Sequence, residues 1–148
     1  TINVTALTAH HGRSVFECWA LVPGFATSNQ TGTAGAQKLE LGNVANASYS
    51  ILPPNFDGGL HNAPAIQFVA FLSGVAHITL PESDEEAYVV GGSHGLIIAA
   101  DVAAVSRKGH ITRYPTTEYT RALQIPTYGG KVPSHKVVHK GPCTAEES

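Results

Sequence analysis

Apolar residues in this chain come in short runs broken by Gly, Pro, Asn and Ser, the pattern of strands joined by tight turns. Ser14 to Val22 (SVFECWALV) predicts a strand ended by Pro23-Gly24. Gln37 to Leu41 and Ala47 to Leu52 predict two more, the second stopped by Pro53-Pro54. Asp57-Gly58-Gly59 reads as a turn, and Leu60 to Ala63 as a short extended piece that Pro64 re-aims. Gln67 to Leu72 (QFVAFL) is apolar on both faces, as a strand covered on both sides requires. Val75 to Leu80, Ala87 to Val90, Leu96 to Ala99 and His110 to Arg113 continue the series. Glu118 to Pro126 fits a strand or a short helix, with Thr and Tyr favouring strand. Thr1 to Gly12 predicts an edge element, Ala26 to Ala36 a surface loop, Pro81 to Glu86 a solvated acidic hairpin tip, and 129–148 a polar tail with little to bury.

Roughly nine short strands at about eight- to twelve-residue spacing indicate an all-β sandwich or barrel. The 148 residues suit one domain, with a core over about 37–126, N-terminal strands in 1–36 and a tail from 127. Charged residues make up 14 % of the chain, well below the roughly 25 % usual for soluble domains. The formal net charge is −2, with no block of Lys or Arg, so nucleic acid is not an expected partner. No apolar run approaches the roughly eighteen residues of a membrane span.

Three of the six asparagines begin N-x-S/T sequons, at Asn3, Asn29 and Asn46. A start at Thr1 without Met is what removal of a secretion signal leaves. Both features predict a secreted glycoprotein. In an oxidising compartment Cys18 and Cys143 would form a bridge tying the tail to the barrel wall. Two unrelated thiols are the alternative.

Alternation places the candidate chemistry. Gln67, Val69 and Phe71 share one face of a strand; His110, Thr112 and Tyr114 share one face of a later strand; His61 and Ala63 point the same way. Two imidazoles and an amide aimed into one cavity could hold a metal ion or orient a small ligand. The same residues could equally be buried histidines satisfied by hydrogen bonds. Phe16 and Trp19 read as core or subunit-interface residues, His77 as an outer-surface or interface residue, and His94, His135 and His139 as solvated.

The string His61-Asn62-Ala63-Pro64-Ala65-Ile66-Gln67, closed by Gly74, resembles the first motif of the cupin superfamily. There His61 falls at the first His, Ala63 at the second His and Gln67 at the Glu. Gly91 to Gly95 (GGSHG) looks like the turn of the second motif without its Pro, and Lys108-Gly109-His110 supplies that motif's His after a longer loop. The resemblance covers about residues 47–126. It implies a cupin β-barrel, an antiparallel double-sheet jelly roll with short N- and C-terminal extensions, whose N-terminal strands cover a sheet or swap into a homodimer. It also implies a divalent metal (zinc, copper, iron, nickel or manganese) at His61, Gln67 and His110. Chemistry of lyase, isomerase or oxygenase type on a small oxygenated or carbohydrate-like substrate would follow, with Gln67 holding a metal-bound water or a substrate hydroxyl. The shared strand faces, not the resemblance, add Tyr114 as a catalytic proton donor and Val69, Phe71 and Thr112 as pocket lining. One His and the carboxylate of the family pattern are missing; His10, His11 or Glu17 could supply a ligand by folding over the mouth. Without metal, the same site would be a sugar- or phenol-binding module, or the protein a structural one of the cell surface.

Overall fold

Thirteen strands, none longer than nine residues, carry the chain through the computed structural model, which describes residues 1–148. The only helix is a 3₁₀ turn at Tyr128–Gly130. Seven strands form one sheet: β1 (Asn3–His10), β2 (Arg13–Leu21), β5 (Ser48–Leu52), β7 (Gln67–Phe71), β10 (Leu96–Ala99), β12 (Thr120–Pro126) and β13 (His135–Lys140). Their spatial order is β13-β2-β1-β10-β7-β12-β5. A four-stranded sheet runs β6 (Phe56–His61), β11 (His110–Tyr114), β8 (Val75–Leu80) and β9 (Ser83–Val90). The short β3 (Ala26–Thr27) and β4 (Gln37–Lys38) pair with each other. The two large sheets face each other as a sandwich of the jelly-roll type, the all-β class that the strand pattern predicts.

Alternation decides which residues meet between the sheets. Leu7, Phe16, Val69, Phe71 and Ile97 from the larger sheet pack against Ala76, Ile78, Leu80, Ala87 and Val89 from the smaller one. The intervening residues Val4, Ala6, Trp19, Phe68 and Ile98 form a second core on the outer face of the larger sheet, covered by Leu39, Leu41, Ile66 and Ile125. This double cover explains why QFVAFL is apolar on both faces.

Three local expectations give way, and the choice between strand and helix at 118–126 is settled as strand. Residues 1–12 do not form an edge: β1 lies inside the sheet, antiparallel to β2 and parallel to β10. Both of its faces carry apolar side chains, so both are buried. Asp57-Gly58-Gly59 belongs to β6 and is not a turn. Gly59 has φ +68° beside a register shift opposite Thr112/Arg113, so these glycines mark a bulge within the strand. Residues 120–126 are strand throughout. The tail supplies β13, which pairs with β2, and the Cys18–Cys143 disulfide fastens the segment beyond it.

Candidate functional site

His61 and His110 are direct cross-strand partners on β6 and β11. Residues opposite each other on an antiparallel pair project to the same face, so the two rings meet, with centroids 4.6 Å apart and planes inclined by 59°. Gly109 makes this approach possible. Its φ is +78°, and a Cβ there would lie 2.1 Å from the His61 carbonyl oxygen. His110 is buried, whereas His61 lies at the cavity mouth and is exposed.

The hydrogen bonds fix the tautomers. His61 Nδ1–H donates to the Gly59 carbonyl at 2.9 Å. His110 Nδ1–H donates to Asp101 Oδ2 at 2.6 Å. In the neutral form of each ring the remaining Nε2 then carries the lone pair. Asp101 is fully buried and also accepts from Ser14 Oγ at 2.6 Å and from the Ala63 amide at 3.4 Å. Ser106 Oγ shares a hydrogen bond with Ser14 at 2.8 Å and accepts from the Gly109 amide at 3.0 Å. Asn62 Nδ2 donates to the carbonyls of Asp101 and Ser106 at 3.1 and 2.9 Å, which ties the loop before His110 to the end of β6. The reading of the sequence missed Asp101. Its signal was faint: one acidic residue directly after the apolar run LIIAA, in a chain with few acids.

Gln67 comes from the other sheet, where it pairs with Ala99 and Pro126 on the neighbouring strands. It is buried and lines the same cavity as both histidines, together with Ala63, Val69, Phe71, Thr112 and Tyr114. The cavity holds about 500 Å³. The structure thus brings together the three residues singled out from the sequence, and all of their expected pocket neighbours. Tyr114 stands apart from the imidazoles. It follows His110 by four residues along β11, about 13 Å of strand, and packs against Phe71 and Phe56 with centroids at 6.4 and 6.1 Å. Burial pushes its hydroxyl up to about 12, so the group stays a hydrogen-bond donor across ordinary pH.

The N-terminal strand lends Leu7 to the cavity wall but none of its candidate ligands. Glu17 points to the outer side of the larger sheet, like its neighbours in the second core, and binds His10 Nε2 at 2.5 Å and Trp19 Nε1 at 2.6 Å. Burial pushes the Glu17 carboxyl up, but the hydrogen bonds from His10 and Trp19 outweigh it and bring the group below its usual 4.5. His10, His11 and Glu17 are absent from the cavity wall. Of the remaining histidines, His94 is exposed as expected, and His77 stacks on Tyr88 at 4.2 Å and binds Glu86. His135 and His139 are not simply solvated: the first stacks on Trp19 at 3.5 Å, and the second binds Glu147. Trp19 and Phe16 are core residues of this chain.

Comparison with protein-family models returns no match for this chain, and neither does comparison with curated proteins.

Two Nε2 lone pairs on one wall, with a carboxamide on the opposite sheet, form a donor set that borderline divalent ions accept. The Asp101 carboxylate behind His110 fixes the orientation of that ring, the role an outer partner plays for histidines in metal sites. Cys18, His139 and Glu147 also lie within 4.8 Å of one another, but the Cys18 sulfur is consumed by the disulfide and cannot ligate. That cluster is a structural clasp. Among the sequons, Asn29 and Asn46 are exposed in loops, whereas Asn3 Nδ2 donates to the Glu147 carbonyl at 2.9 Å inside the clasp. The nitrogen that would carry a glycan at Asn3 is thereby engaged.

Proposed function

We propose that this chain is an exported, cupin-like jelly-roll protein that binds a small oxygen-bearing molecule in its cavity, at a divalent metal ion held by His61, His110 and Gln67. One observation carries the reading: both imidazoles have Nδ1 committed to an acceptor and line one cavity, so the neutral rings keep their Nε2 lone pairs for a ligand. A bound ion would supply Lewis acidity for a lyase, isomerase or oxygen-dependent step. The chain's own contribution is orientation. Asp101 holds the His110 ring, Gln67 can hold a water or a ligand hydroxyl, and Tyr114 donates a hydrogen bond at the far end of the cavity. The disulfide and the exposed sequons at Asn29 and Asn46 support the exported location.

Calorimetric titration of chelator-treated protein with zinc, copper(II), nickel and manganese tests the metal. The expected result is one equivalent bound in the wild type and loss of that binding in both His61→Ala and His110→Ala. Absence of stoichiometric uptake for every ion refutes it. A metal-free binding module for sugars or phenols is the second reading. The exposure of His61 at the mouth and the lack of any carboxylate on the cavity wall favour it.

A further inference from the structure

The wall of the cavity carries no Lys, Arg, Asp or Glu. Asp101 stands behind it, fully buried and committed to His110, Ser14 and Ala63. A charged ligand group would therefore lose its water with no side-chain counter-ion to replace it, a cost that neutral ligands escape. The cavity also has a direction. Its His61, His110 and Gln67 end is polar, Val69, Phe71 and Ile78 give its middle and far part an apolar side next to the polar Gln124, Ser48 and Ser50, and Tyr114 supplies a hydroxyl about 13 Å of strand away from His110.

The polar groups are also fixed in their roles. Ser48 and Ser50 both donate to Gln124 Oε1, at 3.1 and 2.9 Å. With its oxygen taken, Gln124 offers its NH₂ group to a ligand as a donor. Gln124 pairs with Val69, so it faces the middle of the cavity. The imidazole end, in its neutral form, offers the two Nε2 atoms as acceptors, while Gln124 and Tyr114 offer donors.

From this pattern we infer the ligand class: an uncharged, elongated molecule with an apolar or aromatic body, a hydroxyl that donates to the imidazole end, and an oxygen that accepts from Gln124 or Tyr114. A volume of about 500 Å³ accommodates a ring of benzene size with substituents at both ends. The inference rests on the small-molecule part of the function proposed above and does not require the metal.

Three probes of nearly equal shape test it: 4-hydroxybenzyl alcohol (neutral), 4-hydroxybenzoate (anionic) and 4-hydroxybenzylamine (cationic). Each is titrated calorimetrically into the chelator-treated full chain. The neutral alcohol is expected to bind, with the anion and the cation at least about tenfold weaker. Val69→Phe, which fills the apolar middle, is expected to weaken the alcohol at least tenfold. Gln124→Ala is expected to weaken it about fivefold, and it decides the matter if Val69→Phe does not fold. No binding of the alcohol at millimolar concentration overturns the inference. So does equal or tighter binding of either ion, or binding that Gln124→Ala and a folded Val69→Phe leave unchanged. Metal titration of the same preparation separates the two proposals. Metal uptake without preference for the neutral probe removes this one alone, and preference without uptake removes the metal alone.

Discussion

Removing the Asp101 carboxylate perturbs the site at its base. The group is fully buried and accepts two short hydrogen bonds at 2.6 Å, from His110 Nδ1 and Ser14 Oγ. Hydrogen bonds to a buried charged group contribute about 1.5–3 kcal/mol each, and deleting one member of a buried pair leaves its partner unsatisfied. Asp101→Ala is therefore expected to cost about 4 kcal/mol of folding stability. With a urea slope of about 2 kcal/mol per molar, the unfolding midpoint falls by about 2 M. Asp101→Asn keeps the volume and can hold both donors on its amide oxygen, but it removes the charge they bind and sets amide hydrogens against the Ala63 N–H, so about half that loss is expected. Chemical denaturation followed by Trp19 fluorescence reads all three proteins. The Asp101→Ala/His110→Ala double variant completes a cycle in which the two losses must be strongly non-additive. In metal titrations Asp101→Asn is expected to weaken binding about 10- to 100-fold. A midpoint shift below about 0.5 M for Asp101→Ala, together with additive single losses, would refute the reasoning that Asp101 anchors His110.

Gly109→Ala places a Cβ against the His61 backbone at a position with φ +78°. It is expected to cost more than about 2 kcal/mol in the same denaturation assay and to abolish metal uptake; a wild-type midpoint would show that the β6–β11 approach tolerates a side chain. Replacing Cys18 and Cys143 by Ser opens a link across 125 residues of sequence, for which the chain-entropy model gives up to about 5 kcal/mol. An unchanged unfolding midpoint in the double Ser variant would contradict this. The tail clasp should respond to pH from both sides. Backbone acceptance by Lys140 and the contact with Glu147 raise His139 above 6.5, so its contribution is complete at lower pH and is lost as pH rises through that raised value. The Thr144 amide and His139 lower Glu147 to about 2, so its contribution is present above 4.5 and is lost as pH falls toward 2. Protection of the Glu147 amide against hydrogen exchange, normalised for intrinsic rate, should therefore be greatest in the window between; flat protection from about pH 2 to 9 would refute the clasp.

Local pattern alone determined much of this protein. Period-two alternation placed Gln67, Val69 and Phe71 on one face and His110, Thr112 and Tyr114 on another, because the pleat leaves no other choice. The turns after Pro23 and Leu80, and the extent of Leu96–Ala99, follow from residues adjacent in the chain. The Cys18–Cys143 bridge was legible because these are the only two cysteines.

Only the tertiary structure decided which strands became neighbours. Alternation is blind to pairing, so β1 looked like an edge until β10 lay beside it, and the tail looked unstructured until β2 offered Trp19 for His135 to stack on. Asp101 carried no periodic signal. Its role arises from desolvation beside three donors that are distant in sequence or set in an irregular loop, and such partners exist only once the sheets have packed. The converse holds for His10, His11 and Glu17. They offered plausible ligands by composition, but the pleat of β2 turns Glu17 toward the second core, and His10 follows it. A residue type states what chemistry is available; the packing of sheets states what that chemistry can reach.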